Sequence, residues 1–490
     1  MPEQLRYIPL SALPPAQSLA DATALRDRFS SALTTTLDAV NAHTAEYPRS
    51  TIYTGLAGIS YLNYHLSRSP VLPPTSRTAL RTLAQKQLRA ALKADPLSPP
   101  RSGAKVALLD TSIGPAALVL LYQLHYYADI ASASTPFANS TSAGAGTGTR
   151  SPFSKTSCAR CAELLKSAFQ LALAAEPDAD PEDGCELLYG RAGLLHALLL
   201  LRNAAQDIDP TADGGLRALL DPVISDAALG GLVNNIVARG VQGAERFRLD
   251  VSRGKGKGRE DECMPALMWS WHGKRYLGGA HGVAGILLVL LHAPPALFEA
   301  HAGKIRETLR YIVSLQDAEG NWPTKAMAGS SRTGGNELVQ WCHGAPGTIP
   351  LLARTLYLSR ADPSPLSLDA PLTDTLTTAL ARAADVTYAR GMLRKGPGLC
   401  HGVAGCASAL FAAADVDDER RLVQGCHLLV GYLELSARAG GRAFARPDYP
   451  WSLYEGLGGL CAVLGEAVER LGEGQSGSGR WGVLGGGGLV

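Results

Sequence analysis

A short turn motif recurs seven times in this 490-residue chain, and it constrains the fold more than any other feature. Each copy has two small residues three positions apart, usually glycines, and leads into an apolar stretch. The first residue of the pair stands at positions 55, 111, 190, 282, 344, 402 and 456, with Thr111 replacing glycine in the second copy. Such a period predicts a repeat protein whose units stack, because a single unit cannot bury its own apolar face.

Each unit is interpreted as an outer helix, a loop, the turn and an inner apolar helix. Hydrophobic residues make up 46% of the chain but aromatic residues only 6%, and this composition favours helix over strand. We therefore predict an all-α, seven-fold α/α toroid, a double ring of inner and outer helices, spanning 1–490 as a single domain. An open solenoid is the alternative arrangement.

Three segments fall outside the repeat pattern. Residues 131–157 are rich in Ala, Ser, Thr and Gly, which predicts a low-complexity surface insertion. Residues 240–262 are charged and contain several glycines, and we interpret them as a second insertion. Residues 472–490 are expected to form a flexible tail.

Charge and cysteine content indicate the setting of the protein. Lys and Arg total 46 and Asp and Glu total 44, so the net charge of +2 gives no reason to expect a nucleic-acid or membrane-surface partner. The N-terminus lacks a signal-peptide pattern, and the apolar runs are shorter than the roughly 20 residues of a membrane span. Nine cysteines show no disulfide framework. These features favour a reducing, cytoplasmic location.

Polar or ionisable residues precede all seven turns and would face one another across the mouth of a closed ring. They are Thr54, Asp110, Tyr189, His281, His343, His401 and Glu455. The inner helices begin at the same place, so their positive N-terminal ends are expected to favour an anion at the centre.

Two of the turns add a cysteine and so indicate a metal site. Cys342, Cys400 and one histidine, His343 or His401, form a three-ligand set suited to Zn²⁺. Local spacing does not choose between the two histidines. Three protein ligands leave one position open for a substrate thiol, which a metal would help to deprotonate. The other cysteines considered are interpreted as buried apolar residues (Cys185, Cys406, Cys426, Cys461) or a chance pair (Cys158, Cys161).

At this point the motifs resemble those of the lanthionine synthetase C-like family, in particular its eukaryotic branch. The resemblance extends from Tyr53 to Glu455. The most specific segments are Trp341-Cys342-His343-Gly344-Ala345-Pro346-Gly347 and Gly398-Leu399-Cys400-His401-Gly402. The resemblance implies a seven-fold toroid with a central zinc, held by Cys342, Cys400 and His401.

It also implies a reaction, in which a thiol adds to dehydroalanine or dehydrobutyrine to form a thioether. His281 would be the catalytic acid or base beside the metal. Glutathione and a peptide or protein containing a dehydroamino acid are the implied partners. Lys395 matches a lysine linked to glutathione binding, and we add Arg191, Tyr189 and Glu455 as candidate substrate-binding residues.

One departure concerns a carboxylate. Bacterial cyclases carry an aspartate three residues before the tyrosine of the third turn, and Glu186 occupies that position here.

Three functions compete at this stage. The first is a zinc-dependent glutathione or thiol transferase that forms C–S bonds. The second is a non-catalytic sensor or scaffold that binds zinc and glutathione. The third is an α/α-toroid glycosidase using Asp110 and Glu455 as opposed carboxylates, but that chemistry leaves the two Cys-His pairs without a role.

Overall fold

A ring of seven apolar helices forms the centre of the molecule. The computed structural model describes residues 5–15, 21–47, 49–133, 151–174, 184–206, 208, 213–253, 263–327, 337–438 and 443–472. The inner helices are α2 (Leu56–Arg68), α4 (Ile113–Ala133), α6 (Arg191–Gln206), α9 (Val283–His292), α12 (Ala345–Ser359), α14 (Val403–Ala414) and α16 (Leu457–Arg470). Each starts at one of the predicted turns. The described part of the chain is helical apart from loops and four isolated bridges.

The ring is closed. Each inner helix contacts the next one in the chain, and the last, α16, contacts the first, α2. The inner helices are apolar on nearly all sides: in α9, for instance, every residue from Val283 to Leu291 is buried. A helix that is apolar all round needs neighbours on every side, and closure provides them. The predicted toroid is therefore confirmed, and the open solenoid is excluded.

The remaining helices form the outer layer. They are α1 (Ala22–Ala42), α3 (Pro74–Ala94), α5 (Lys155–Leu173), α7 (Leu216–Ile224), α8 (Asp226–Arg253), α10 (Pro295–Phe298), α11 (Ala302–Ser314), α13 (Ala370–Arg390) and α15 (Arg420–Arg438). Outer helices pack chiefly on the inner helix that precedes them, as α3 does on α2 and α15 on α14. The packing unit thus begins with the inner helix, half a unit later than we interpreted from the sequence. As a result α1 covers α16, which joins the start of the chain to its end.

The second glycine of each turn is required by a close backbone approach. A Cβ at this position would lie 1.9–2.6 Å from the carbonyl oxygen six residues earlier, which is closer than any side-chain carbon can come. The same contact occurs at Gly58, Gly114, Gly193, Gly285, Gly347, Gly405 and Gly459. The carbonyl passes directly over the first turn of the inner helix, so only glycine fits.

The first N–H groups of the inner helices are satisfied by the loop that precedes them. Val283 N donates to Tyr276 O at 3.1 Å, and Val403 N donates to Gly396 O at 3.0 Å. The same seven-residue separation opens α2, α6 and α16. These groups are therefore not free to bind an anion, contrary to our expectation for the helix N-termini. Recognition of anions at the mouth falls to side chains.

The structure also corrects both predicted insertions. Residues 240–253 are the second half of α8, where Gly240 allows the indole of Trp269 to pack against the helix. Residues 151–157 belong to the folded body, since Phe153 is buried and α5 begins at Lys155. Residues 134–150, 254–262 and 473–490 lie outside the described residues. In the part of the chain that is described, no helix has both the length and the apolarity needed to cross a membrane.

Candidate metal centre

Three potential metal ligands come together at the mouth of the ring. One donor atom each from Cys342, Cys400 and His401 lies within 4.8 Å of the other two. Both cysteines are buried and the histidine is partly exposed. No other group of three His, Cys, Asp or Glu side chains in the described ranges comes as close together. The geometry therefore favours His401 over His343 as the third ligand.

The main chain fixes the positions of both cysteines. Cys342 N donates to Cys400 O at 3.2 Å, and Cys400 N donates to Tyr454 O at 2.8 Å. Tyr454 N in turn donates to Tyr53 O, and Tyr53 N to Leu109 O, at 3.1 and 2.8 Å. These residues occupy the same place in successive turns. A belt of hydrogen bonds thus runs across five of the seven units and holds the ligand-bearing turns in register.

The two thiols have different acidities. A hydrogen bond with Cys400 and a second with His401 hold the pKa of Cys342 well below its ordinary value, against the effect of burial. Burial, together with the negative charge of Cys342, raises the pKa of Cys400 well above its ordinary value. Gln340 Nε2 also donates to Cys342 Sγ at 3.1 Å, and the Tyr53 phenol hydrogen-bonds to Cys400.

This donor set fits zinc. Zinc sites in proteins combine thiolate and imidazole ligands at about 2.3 and 2.0–2.1 Å in tetrahedral geometry. That geometry places two sulfur ligands about 3.8 Å apart, which is compatible with the observed spread of the three donor atoms. Three ligands leave the fourth position open, as in catalytic rather than structural sites.

A histidine–carboxylate pair forms the second part of the site. His281 Nδ1 lies 3.0 Å from Glu186 Oε2, and the imidazole stacks on Trp271 at a centroid distance of 3.9 Å. Glu186 also accepts hydrogen bonds from the N–H groups of Leu188 and Tyr189, at 2.7 and 2.6 Å. Donation from Nδ1 to this carboxylate leaves Nε2 available for proton exchange. Glu186 therefore orients His281, which gives a role to the glutamate that departs from the bacterial pattern.

Tyr189 stands next to this pair. Its ring centroid lies 6.1 Å from that of His281 and 6.0 Å from that of Trp271. Burial, followed by the negative charge of Asp110 and a hydrogen bond to it, raises the pKa of Tyr189 to about 12. The phenol therefore keeps its proton at neutral pH and donates it to the Asp110 carboxylate in a hydrogen bond.

Lys395 and Glu455 lie near His401 and near each other. Lys395 is exposed in the loop before Cys400, while Glu455 is half-buried after Tyr454. Burial raises the pKa of Glu455, and the nearby charges of His401 and Lys395 oppose that rise. The mouth thus has an acidic and a basic group within electrostatic range of each other and of the ligands.

Arg191 does not face the mouth. Its guanidinium is buried, with Nε donating to Ala172 O at 2.8 Å and Nη1 to Gly184 O at 3.1 Å. These carbonyls belong to the end of α5 and the loop before α6. The contacts make Arg191 a structural residue that joins inner and outer layers, and we remove it from the substrate-binding set.

The cysteines predicted to be core residues are buried, as expected: Cys185, Cys406, Cys426 and Cys461. Cys158 and Cys161 are also buried, on α5, where burial raises their pKa values to about 11 and about 12. They are therefore protonated thiols at neutral pH.

Sequence reasoning did not identify Trp271 and Gln340. Trp271 lies in an aromatic segment between repeat units, and no turn motif marks it. Gln340 precedes the ligand Cys342 by two residues, a spacing that carries no recognisable signal. Both were found only through their contacts, one with the His281 ring and the other with the Cys342 sulfur.

A closed double ring of helices with Cys342, Cys400 and His401 at its mouth defines the class: an α/α toroid with three side chains that could hold a metal ion. The profile described as lanthionine synthetase C-like protein matches residues 145–468, about two thirds of the chain. The chain belongs to that family.

Two relatives come from an animal and a plant. A protein from Danio rerio named glutathione S-transferase LANCL1 is 26% identical over 288 residues, covering 58% of this chain and 59% of the relative. A protein from Arabidopsis thaliana named LanC-like protein GCL1 is 32% identical over 301 residues, covering 59% and 58%. The matches therefore span about three fifths of these relatives' length. They support the eukaryotic branch.

The fold is also similar to that of a solved structure. A structure named nisin cyclase superposes with a TM-score of 0.51, covering 88% of this chain and 93% of its own. The two sequences are only 13% identical, so the likeness concerns the fold alone.

Proposed function

We propose that this protein is a zinc-dependent transferase that adds a thiol, glutathione in the first place, to dehydroalanine or dehydrobutyrine. The observation that carries the proposal is the meeting of Cys342, Cys400 and His401 at one mouth of the ring. The His281–Glu186 pair at the mouth supports it by offering a proton donor. The relative from Danio rerio that is named a glutathione S-transferase favours glutathione as the thiol.

Cys342, Cys400 and His401 would hold the zinc, which when bound lowers the pKa of a thiol so that it reacts as a thiolate at neutral pH. Gln340 and Tyr53 donate hydrogen bonds to the two cysteine sulfurs and so keep them in position and reduce their negative charge. Cys342 and Cys400 are buried, which limits the access of water to the ligand sulfurs.

The addition itself needs one proton at carbon. The thiol sulfur forms a bond to the β-carbon, the C=C π electrons move towards the carbonyl as an enolate, and the α-carbon then takes a proton. The thiol loses one proton and the α-carbon gains one, so the net reaction joins two molecules without an oxidant or a leaving group. His281 Nε2 is suited to deliver that proton, with Glu186 stabilising the imidazolium through Nδ1.

Three side chains of the mouth would bind substrate. Lys395 would pair with a carboxylate of glutathione, while the phenol oxygen of Tyr189 and the carboxylate of Glu455 would accept hydrogen bonds. The electrophile would be a peptide or protein carrying the dehydroamino acid. Free thiols at the site require a reducing environment, so we propose a cytoplasmic location.

Transfer of glutathione to a dehydroalanine peptide tests the function. Zinc-loaded protein, glutathione and peptide should yield a product heavier by one glutathione, detected by mass spectrometry. Cys400→Ala should abolish the product, whereas Cys426→Ala, a buried cysteine outside the site, should not. Binding of glutathione without any transfer would refute the enzyme and favour the sensor or scaffold alternative.

A further inference from the structure

One carboxylate at the mouth remains incompletely satisfied. The side chain of Asp110 is only 8% exposed, and its nearest cation, Arg49 Nη1, lies 3.9 Å from Oδ2. Its Oδ1 atom is buried and has no hydrogen-bond partner among the described residues. Buried carboxylate oxygens are normally paired, so an unpaired one needs an explanation.

A second unsatisfied side-chain oxygen occurs in the neighbouring turn. Thr54 is 1% exposed, and its Oγ1 is buried without a hydrogen-bond partner in the described ranges. Thr54 and Asp110 occupy the same place in the first two turns, and the Tyr53 N to Leu109 O hydrogen bond of 2.8 Å joins these turns one residue earlier. The main chains that carry Thr54 and Asp110 are thus held in register by the same hydrogen bonds that position Cys400.

Asp110 is not needed to cap the N-terminus of α4. The N–H of Ile113, at the start of α4, is bound by Thr111 Oγ1 at 3.1 Å, and Gly114 N donates to Thr111 O. Arg49 is a weak partner because its side chain is 50% exposed and the distance is long. The carboxylate therefore has no structural task that uses Oδ1.

The neighbours of Asp110 place it at the reaction site. Tyr189 hydrogen-bonds to Asp110 and also stands beside the His281 ring. Thr54 follows Tyr53, whose phenol hydrogen-bonds to Cys400. Asp110 is therefore connected to the proposed acid, His281, through Tyr189. Thr54 is the next residue in the chain after Tyr53, which contacts the proposed metal ligand Cys400.

We propose that Asp110 and Thr54 form a subsite for the primary ammonium group of the thiol substrate. An ammonium group has three N–H donors, which suits one carboxylate oxygen and one hydroxyl from adjacent turns. In glutathione this group is the α-ammonium of the γ-glutamyl residue. The inference rests on the proposed function, which it deepens. It also assigns the two kinds of charge on the substrate to two different side chains, ammonium to Asp110 and carboxylate to Lys395.

The test compares two ligands that differ only in the ammonium group. Glutathione and glutaryl-cysteinylglycine share the thiol and both carboxylates, but the second has no ammonium. Binding to zinc-loaded, full-length protein should be measured by calorimetry. We expect glutathione to bind at least about 10-fold more tightly, as a charge-assisted hydrogen bond would give. In Asp110→Asn that preference should fall to about 2-fold or less.

Matched variants identify the cause. Asp374→Asn changes an exposed aspartate on α13, so it should keep the full preference. Lys395→Ala should weaken both ligands alike, because both carry the carboxylates. Thr54→Val should reduce the preference without changing charge.

Three results would overturn the inference. An equal affinity of the wild-type protein for both ligands would show that Asp110 does not bind the ammonium group, and the proposed function would survive. If neither ligand binds the wild-type protein, both the subsite and the proposed function fail. A preference retained in Asp110→Asn would place the ammonium elsewhere.

Discussion

At the scale of single residues, the metal ligands are the first point to test. Purified protein should contain about one zinc, because the described residues offer one set of three ligands. Cys342→Ala or Cys400→Ala should lose the metal, because only two of the three protein ligands remain. Cys158→Ala, in a buried pair on α5, should keep it. The measurement is the zinc content of each purified variant, determined by elemental mass spectrometry. Full zinc occupancy in the double variant Cys342→Ala/Cys400→Ala would disprove the assignment of the ligands.

His281 should affect turnover and leave the metal in place. General acid–base assistance is typically worth about 10²–10⁴-fold, so His281→Ala should slow transfer of glutathione by that factor with zinc retained. Glu186→Gln should slow it less, because the amide keeps the shape but no longer stabilises the imidazolium. Single-turnover rates together with zinc content provide the measurement. Loss of zinc in His281→Ala would mean that this histidine, rather than His401, completes the metal site.

At the scale of helices and turns, the second glycines can be compared with a glycine in open space. A Cβ at Gly405 would lie 1.9 Å from Leu399 O, so Gly405→Ala forces the ligand-bearing turn away from α14. We expect the variant to be destabilised by several kcal/mol or not to fold. Gly231, inside α8, has nothing within 4 Å of an added Cβ, so Gly231→Ala should stabilise by about 0.5–1 kcal/mol. The free energy of unfolding of the two variants should be measured by denaturant titration. Equal changes in the two variants would contradict the close approach of Leu399 O to Gly405.

Another comparison concerns the segment predicted to be an insertion. Phe153 is 7% exposed, and its N–H donates to Gln123 on the inner helix α4. Phe153→Ala should therefore cost about 3–5 kcal/mol of unfolding free energy, as for other buried aromatic residues. A change below 1 kcal/mol, measured by the same denaturant titration, would support the original interpretation of 131–157 as a segment that contributes nothing to the core.

At the scale of the whole molecule, a buried charge network links the last inner helix to its neighbour. Glu466 on α16 is 2% exposed, and Arg470 bonds to it and to Asp415, at 3.0 and 2.7 Å. Burial raises the pKa of Glu466 to about 7, despite the opposing charge of Arg470. The folded state therefore binds this proton more tightly than the unfolded chain does. Stability should fall as the pH rises from about 4 to about 7 and then level off.

Glu466→Gln should remove that part of the pH dependence, because the amide does not titrate. Urea midpoints of the zinc-loaded protein at pH 5 and pH 8 should differ less in the variant than in the wild type. Glu163→Gln, which changes a surface residue that is 70% exposed, is the control and should leave the difference unchanged. The same pH dependence in Glu466→Gln and the wild type would show that Glu466 is ionised throughout this range.

The sequence by itself determined the repeat and most of the metal site. The seven glycine pairs can be read directly because the close carbonyl approach admits no other residue, and Cys342 and Cys400 share one position of the repeat. The glycine pair recurs in the sequence because the same backbone contact recurs in each repeat unit. The number of inner helices and the place of the mouth followed from that alone.

Only the tertiary structure decided the rest, because those features depend on residues far apart in the chain. Spacing left His343 and His401 open and the family resemblance implied His401; the structure adds that His401 lies together with Cys342 and Cys400. The pairing of Glu186 with His281, 95 residues away, is seen only in the structure. Gly240 was misinterpreted for the same reason: a glycine in a charged segment resembles a loop until Trp269 is seen to need the space. The burial of Asp110 Oδ1 likewise exists only in the closed ring, where adjacent turns shield it from water.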